Sequence, residues 1–226
     1  MMTTYGLAVG FLAAFAFGTV AVRRGTSGRQ NESDGSVAAS AEDIRPLLVG
    51  MKVPEVTLTD ADGNPVKLYS LIEKKPTVLV FYRGGWCPYC NLQLEQLHTI
   101  EDEVLELGYQ IVAVSADRPE NVEKSVEKHD LKYTLLSDSS KAAAKAFGLA
   151  FRVDDKILDA YKKFGINLAK ASGVNDDVLP VPAVFIVGTD GTIIFEYVNP
   201  NYKVRLNAQV LLAILKAENE ESTVGK

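Results

Sequence analysis

The sequence predicts an α/β fold in which a central mixed β-sheet is flanked by helices. Short apolar runs of strand length alternate with longer segments whose apolar residues recur at helical spacing. Near the end of the chain, Val181–Val187 and Thr192–Val198 flank the tight turn Thr189–Gly191, which predicts a hairpin. The sheet should therefore contain antiparallel as well as parallel pairs. An amphipathic helix over Val204–Ala217 follows.

The earlier elements are predicted from the same two periodicities. The turn residues Asp62–Pro65 separate two strands of a short hairpin, and Gly108 ends a helix that begins near Pro88. The segment Phe151–Val178 fits the alternation poorly, and we interpret it as an insertion near the functional site. Strands are predicted at Val53–Thr59, Val66–Leu68, Thr77–Tyr82, Tyr109–Ser115 and Tyr133–Leu136, and helices at Asn91–Leu107, Pro119–His129, Lys141–Phe147 and Asp154–Ala169.

Composition excludes several functional classes. The 226 residues carry a net charge of −5 and show no basic stripe, which argues against a nucleic-acid partner. Two cysteines are too few for a disulfide scaffold, and with only two histidines no zinc-like ligand spacing occurs. We therefore expect no metal and no other cofactor. The oligomeric state is not predicted.

An uncharged segment, Tyr5–Val22, lies near the N-terminus. As a helix it would be roughly 27 Å long, just enough for a bilayer core, and it predicts a single-pass membrane anchor over residues 1–24. Arg23 and Arg24 follow it and favour a cytoplasmic catalytic domain, with the opposite side left open. A cleaved signal peptide is the alternative, although Met1–Thr4 lacks a positive charge.

The remaining organisation follows from composition. Residues 25–43 are polar and rich in Ser, Gly and acidic side chains, which predicts a flexible linker. Residues 44–220 form the predicted α/β domain, and 221–226 a tail.

Both cysteines occur in Trp86-Cys87-Pro88-Tyr89-Cys90, between a predicted strand and a predicted helix. A thiol at a helix N-terminus is stabilised as a thiolate by the unpaired backbone N–H groups and the helix dipole. A second thiol one turn later is placed to form a disulfide with it. The motif predicts reversible dithiol–disulfide chemistry, with Cys87 as the first candidate nucleophile and Cys90 as the alternative.

Neighbouring residues have candidate supporting roles. Pro88 stiffens the loop and starts the helix, and Arg83 is a candidate for holding an anion or lowering a thiol pKa. Trp86 and Tyr89 are candidates for covering the motif or contacting substrate. Two nearby residues are given structural roles instead: Asp117 as a helix cap and His129 as a solvated side chain.

The order of strand, CxxC, helix, strand and helix, with Val181-Pro182 before a hairpin, resembles the thioredoxin fold. More closely, the chain resembles the alkyl hydroperoxide reductase/thiol-specific antioxidant family, the peroxiredoxins, over about Arg45 to Ala217. The residues that carry this resemblance are Gly50, Val53-Pro54, Asp60, Asp62-Gly63, Val78–Tyr82, Val112–Ser115, Phe185–Val187 and Asp190-Gly191.

This resemblance implies a thioredoxin-like fold and hydroperoxide reduction with electrons from a thioredoxin-like protein or a small thiol. The chain also departs from the family pattern. Aligned without gaps, Cys90 falls at the position of the peroxidatic Cys, and Cys87 replaces the Thr that precedes it in the family. The family's site arginine falls at Pro182. By resemblance to thioredoxin and glutaredoxin, Val181-Pro182 is expected to form a substrate-binding cis-proline loop, whereas the buried acid of thioredoxin is missing from Thr77–Tyr82.

Three functions remain open at the level of the sequence. The first is a peroxiredoxin-like peroxidase, and the second is a thiol–disulfide oxidoreductase acting on protein disulfides. The third is a membrane-tethered redox sensor with little turnover.

Overall fold

The computed structural model describes residues 1–2 and 37–224, with side chains through residue 220. Its strands are β1 (Thr57–Thr59), β2 (Pro65–Lys67), β3 (Thr77–Tyr82), β4 (Gln110–Ser115), β5 (Thr134–Ser137), β6 (Ala150–Arg152), β7 (Val178–Pro180), β8 (Ala183–Val187) and β9 (Ile193–Val198). Its helices are α1 (Leu68–Ile72), α2 (Pro88–His98), α3 (Glu101–Glu106), α4 (Pro119–His129), α5 (Ala142–Ala146), α6 (Asp155–Lys163), α7 (Leu168–Ser172) and α8 (Ala208–Val224), preceded by a 3₁₀ turn at Ala41–Asp43.

A seven-stranded mixed sheet in the order β2-β1-β5-β4-β3-β8-β9 forms the centre of the domain. Strands β3, β4 and β5 are parallel neighbours, whereas β8 and β9 add to β3 in antiparallel pairs. The expected α/β fold with a thioredoxin-like mixed sheet is therefore confirmed.

The central strand β3 is buried over its whole length. Val78, Val80 and Tyr82 contribute to the core under α2 and α8, while Leu79 and Phe81 contribute to the core on the other face. A strand covered on both faces reads as a continuous apolar run, which explains why Thr77–Tyr82 was predicted with the correct bounds. The same strand delivers the chain into the CxxC motif.

The insertion between β6 and β7 forms its own small layer. Strands β6 and β7 pair antiparallel as a separate two-stranded sheet, and α6 and α7 lie between them in sequence. Ala38 forms a parallel bridge with Phe151 of β6. Residues 37–43, expected within the flexible linker, are thus partly hydrogen-bonded to this layer. At the other end, α8 continues into the expected tail.

The predicted membrane localisation is corrected. Across residues 1–2 and 37–224, no helix is both long enough and apolar enough to cross a bilayer. The segment Tyr5–Val22, on which the anchor prediction rested, lies outside the described residues. Its length meets only the lower limit for a bilayer core, and length with low polarity does not separate a spanning helix from other apolar segments.

Candidate active site

The CxxC motif lies at the carboxyl end of β3, where residues 83–87 connect the strand to α2. Cys87 is the N-cap of α2 and Pro88 occupies its first turn. The carbonyl oxygen of Cys87 accepts hydrogen bonds from the Cys90 and Asn91 amides at 3.0 and 3.1 Å. The first thiol is therefore at the positive end of the helix dipole, as the sequence predicted.

The turn before the motif requires glycine at position 84. Gly84 has a φ of +150°, and a Cβ there would overlap the Trp86 indole nitrogen and the Asp117 carboxylate. Both the backbone conformation and the lack of space exclude a side chain. At Gly85, an added Cβ would likewise overlap the Ser125 hydroxyl of α4.

Both cysteines are free thiols and both are buried. A hydrogen bond from the Cys90 thiol, aided by the charges of Arg83 and Arg205, lowers the pKa of Cys87 to about 6 despite burial. Burial and the negative charge of its neighbour raise the pKa of Cys90 well above its ordinary value. In this pair, Cys87 is thus the thiolate and Cys90 the protonated donor.

Arg83 is buried in a set of aromatic rings. Its guanidinium lies 4.0 Å from the centre of the Tyr202 ring, 5.1 Å from Trp86 and 5.4 Å from Tyr161. It donates a hydrogen bond to the Tyr161 hydroxyl, and its Nε has no partner among the residues that the structure describes. Among the described residues no carboxylate lies within ion-pair distance of Arg83, so the thiolate of Cys87 is the anion that its charge stabilises.

Arg205 is a site residue that the sequence did not reveal. Its Nη2 donates to the Cys90 sulfur at 3.4 Å and its Nη1 to Gln93 Oε1 at 2.8 Å. It comes from the segment between β9 and α8, whereas the expected family arginine would have stood at Pro182. A guanidinium is thus supplied to the thiols from a different element, and no local motif marks it.

Asp117 supplies the buried acid that is missing from β3. It follows β4 rather than preceding the motif, and its Oδ2 accepts the Gly85 amide at 2.7 Å. Burial is the main cause that raises its pKa to about 7, and the charge of Cys90 adds to this effect. The expected capping role is wrong, because Arg118 is the N-cap of α4 and no side chain caps that helix. Because carboxyl ends of parallel strands meet at one edge, an acid directly after β4 was a readable signal.

The remaining predicted site residues lie around the thiols. Tyr89 is exposed at the rim, with its ring 5.7 Å from that of Tyr202. Val181 is buried and donates its amide to Leu149. The pairing of Ala183 with Phe81 puts Pro182 near the end of β3.

The expected cis-proline loop is wrong. Every peptide bond in the described part of the chain is trans, including Val181–Pro182. Trans is the lower-energy isomer of an X–Pro bond by about 0.5–1 kcal/mol, so a proline before a strand does not by itself imply cis.

His129 also departs from its predicted state. Its side chain is buried and its Nδ1 lies 3.0 Å from Glu95 Oε1, which links α4 to α2. His98 pairs with Glu101 at 3.2 Å. Both histidines are engaged by carboxylates rather than by the thiols.

A dithiol at the mouth of a helix, on the carboxyl edge of a thioredoxin-like sheet, defines a thiol-dependent oxidoreductase. Residues 49–196 match the AhpC/TSA family, and the chain belongs to that family. It is therefore a thiol-based antioxidant protein of the peroxiredoxin type.

Similar proteins agree with this assignment. The chain is 31% identical to "Peroxiredoxin Bcp" of Escherichia coli (strain K12) over 106 residues, which cover 47% of this chain and 67% of that protein. It is 32% identical over 100 residues to "Peroxiredoxin Q, chloroplastic" of Sedum lineare, covering 44% and 53% of the two chains.

Two solved structures share the fold. Peroxidoxin BcpB from Mycobacterium tuberculosis superposes with a TM-score of 0.59 at 23% identity, covering 75% of this chain and 96% of that one. Reduced Prx3 from Vibrio vulnificus in complex with H₂O₂ gives 0.62 at 19% identity, covering 75% and 99%.

Proposed function

We propose that this protein reduces hydroperoxides through a cycle in which Cys87 and Cys90 pass between two thiols and one disulfide. The observation that carries the proposal is the placement of two thiols within a single turn of α2, with Cys87 at the N-cap and Arg205 at 3.4 Å from the Cys90 sulfur, and the pKa values of the two thiols are displaced in opposite directions. One sulfur is thereby a nucleophile at neutral pH, and the other keeps the proton that the next step needs. Residues 44–220 are the proposed catalytic domain.

In the first step, the Cys87 thiolate attacks one oxygen of the O–O bond. That bond breaks, Cys87 becomes a sulfenic acid, and the other oxygen leaves as an alcohol or water after taking a proton. The charge of Arg83 favours the thiolate before attack, and its unpartnered Nε is a donor for the leaving oxygen. Because Cys87 is only 1% exposed, a peroxide reaches it after a local movement of the covering side chains.

In the second step, Cys90 attacks the Cys87 sulfur and water leaves as the disulfide forms. Cys90 must lose its proton, and Asp117, whose pKa is raised to about 7 by burial, is the candidate group that accepts this proton and passes it to the leaving hydroxide, which departs as water. The nearby Arg205 guanidinium stabilises the Cys90 thiolate as it forms. A thioredoxin-like protein or a small thiol then reduces the disulfide and restores both thiols.

The supporting residues Trp86, Pro88, Tyr89, Val181 and Pro182 are proposed to shape substrate access. Trp86 packs between the motif and the insertion, with its ring 5.6 Å from Tyr161. Tyr89 and Pro88 are exposed at the start of α2 and form the rim that a partner protein would meet first.

Reduction of protein disulfides is the second candidate function. The position of Cys87 at the helix N-cap, next to an exposed Tyr89, favours it. The trans Val181–Pro182 bond weighs against it, because the backbone groups expected to pair with an extended substrate are not presented in the expected way.

Two assays on the reduced full-length protein separate these functions. Stopped-flow mixing with hydrogen peroxide should show second-order consumption that is lost after alkylation with N-ethylmaleimide. Insulin reduction should remain near the rate of free dithiothreitol. Rapid insulin reduction with slow peroxide consumption would replace the proposal by the second function, and background rates in both assays would refute both.

A further inference from the structure

A cavity of about 410 Å³ opens directly beside the active-site loop. Gly85 and Trp86 form one wall, and residues of α4 and of the segment around α7 form the others. Cys87 is the residue after Trp86 in the chain, although its own side chain is buried and does not line the cavity. The volume of the cavity falls within the range of small-molecule binding sites.

The cavity is positively charged in a protein whose net charge is −5. Arg118, Lys124, Lys128 and Lys170 line it, and Asp117 is the single acidic residue among its lining residues. Within the described part of the chain, Arg118 is the only one of these four cations that has a carboxylate within 4 Å, and its partner Glu120 is exposed. Such a concentration of one charge in a concave site favours small anions.

Asp117 gives the cavity a second recognition element. It is 2% exposed and lines the cavity, and none of the described residues forms a hydrogen bond to its Oδ1. A buried carboxyl oxygen without a partner is costly, and an ammonium or amide N–H from a ligand would satisfy it. The preferred ligand therefore combines several carboxylates with a nitrogen donor, which is the chemistry of a small peptide.

The walls of the cavity pack closely against the loop that carries the thiols. Ser125 of α4 contacts Gly85 so closely that a Cβ at Gly85 would collide with its hydroxyl. Asn121 donates to the Ala171 carbonyl at 2.9 Å, which joins α4 to the insertion. A ligand held between these elements would therefore contact Gly85 and Trp86, which belong to the loop that leads to Cys87.

We propose that this cavity binds the reductant, a low-molecular-weight peptide thiol with at least two carboxylates. This inference rests on the proposed peroxidase function. A ligand thiolate attacks the Cys87–Cys90 disulfide at Cys87, forming a mixed disulfide and releasing Cys90 as a thiolate that takes up a proton. A second ligand thiolate then attacks the ligand sulfur of that mixed disulfide, releasing a ligand disulfide and free Cys87.

Trp86 is the single tryptophan of the chain and lines the cavity, so its fluorescence reports binding without any turnover. The probe is S-methylglutathione, which carries the two carboxylates and the ammonium but has no thiol to react. Titration of the reduced full-length protein should give a saturable change in fluorescence. Cysteamine, which has no carboxylate, should give none at the same concentrations.

The charge requirement is tested with two matched pairs of substitutions. Lys128→Gln with Lys170→Gln removes two cavity cations and should weaken S-methylglutathione binding about ten-fold. Lys163→Gln with Lys216→Gln changes the net charge equally outside the cavity and should leave binding unchanged. With glutathione as reductant, the KM for glutathione should rise by a similar factor only in the first pair.

The outcomes are distinguishable from failure of the proposed function. Absence of saturable binding, or equal weakening by both pairs, overturns the inference even if peroxide is reduced rapidly. Inorganic phosphate binding as tightly as S-methylglutathione, with no change in KM in the cavity pair, also overturns it and indicates a simple anion site. Binding without peroxidase activity would retain the site and refute the peroxidase function instead.

Discussion

Arg205 Nη2 lies 3.4 Å from the Cys90 sulfur, although 115 positions separate the two residues in the sequence. The guanidinium also donates a hydrogen bond to Gln93 of α2 at 2.8 Å, so two contacts with the same helix fix it beside the buried thiol. The cation beside the second cysteine is therefore provided by the C-terminal part of the fold, and the CxxC motif alone does not contain the complete site.

Serine at either cysteine should stop peroxide turnover without unfolding the domain, because the replacement is nearly isosteric. Cys87→Ser should also lose the rapid first reaction with peroxide, whereas Cys90→Ser should retain one turnover and accumulate sulfenic acid. Rapid mixing followed by dimedone labelling and mass spectrometry measures both. Sulfenic acid on Cys90 in the Cys87→Ser variant, with none on Cys87 in the other, would reverse the assignment of the nucleophile.

The thiolate of Cys87 should form with a midpoint near pH 6, since its pKa is lowered to about 6. The rate of alkylation by iodoacetamide should therefore rise between about pH 5 and 7 and be constant above. Arg83→Gln should shift this profile to higher pH, because the favourable charge next to the thiolate is removed. Arg152→Gln, which alters an arginine of β6 on the insertion layer, is the matched control, and an equal shift in both variants would contradict the role of Arg83.

Asp117 should make the protein less stable as pH rises from about 4 to about 7. Its folded pKa is raised by burial, so the native state binds more protons than the unfolded state in this range. The free energy of unfolding should fall across this range by an amount on the order of 4 kcal/mol from this group, and Asp138 contributes in the same direction.

Asp117→Asn should remove that part of the decline while keeping an acceptor for the Gly85 amide. Urea unfolding at pH 4.5 and pH 8 measures it, with Asp155→Asn as an exposed control. The same variant should slow disulfide formation after sulfenic acid has formed. A slope of stability against pH identical to that of the wild type would refute the assignment of the raised pKa.

Gly84→Ala should destabilise the domain by about 2 kcal/mol or more, since it combines a left-handed φ with steric overlap at Trp86 and Asp117. Gly63→Ala is matched in sign of φ but has open space around the new methyl group, and should cost about 1 kcal/mol. Chemical denaturation of both variants gives the comparison, and equal costs would show that the overlap is relieved by small movements.

The elements predicted best are those whose signal is local. Thr77–Tyr82 and Pro119–His129 were found with the observed bounds, because a continuous apolar run marks the first and a proline start marks the second. The break between α2 and α3 was missed, since the apolar spacing continues through it. Ile100 leaves helical geometry there and is buried at the junction, which periodicity cannot show.

The residues of the site also fall into a group that the local sequence predicts and a group that it does not. The thiols, Arg83 and Trp86 belong to one short segment and were predicted together. Arg205 reaches the Cys90 thiol and Asp117 reaches the Gly85 amide from other elements, and only the strand order and the packing of the C-terminal segment bring them there. The raised pKa of Asp117 depends on burial, which its neighbours in sequence do not determine.

The bridge at Ala38 covers an exposed strand edge. Its amide donates to Ala150 and its carbonyl accepts from Arg152, both at 2.9 Å, so the backbone of β6 is occupied on the side away from β7. Without this cap, β6 would offer free donors and acceptors to a strand from another molecule. The bridge at Ala38 thus blocks strand pairing with another molecule at this edge, next to the insertion that borders the thiols.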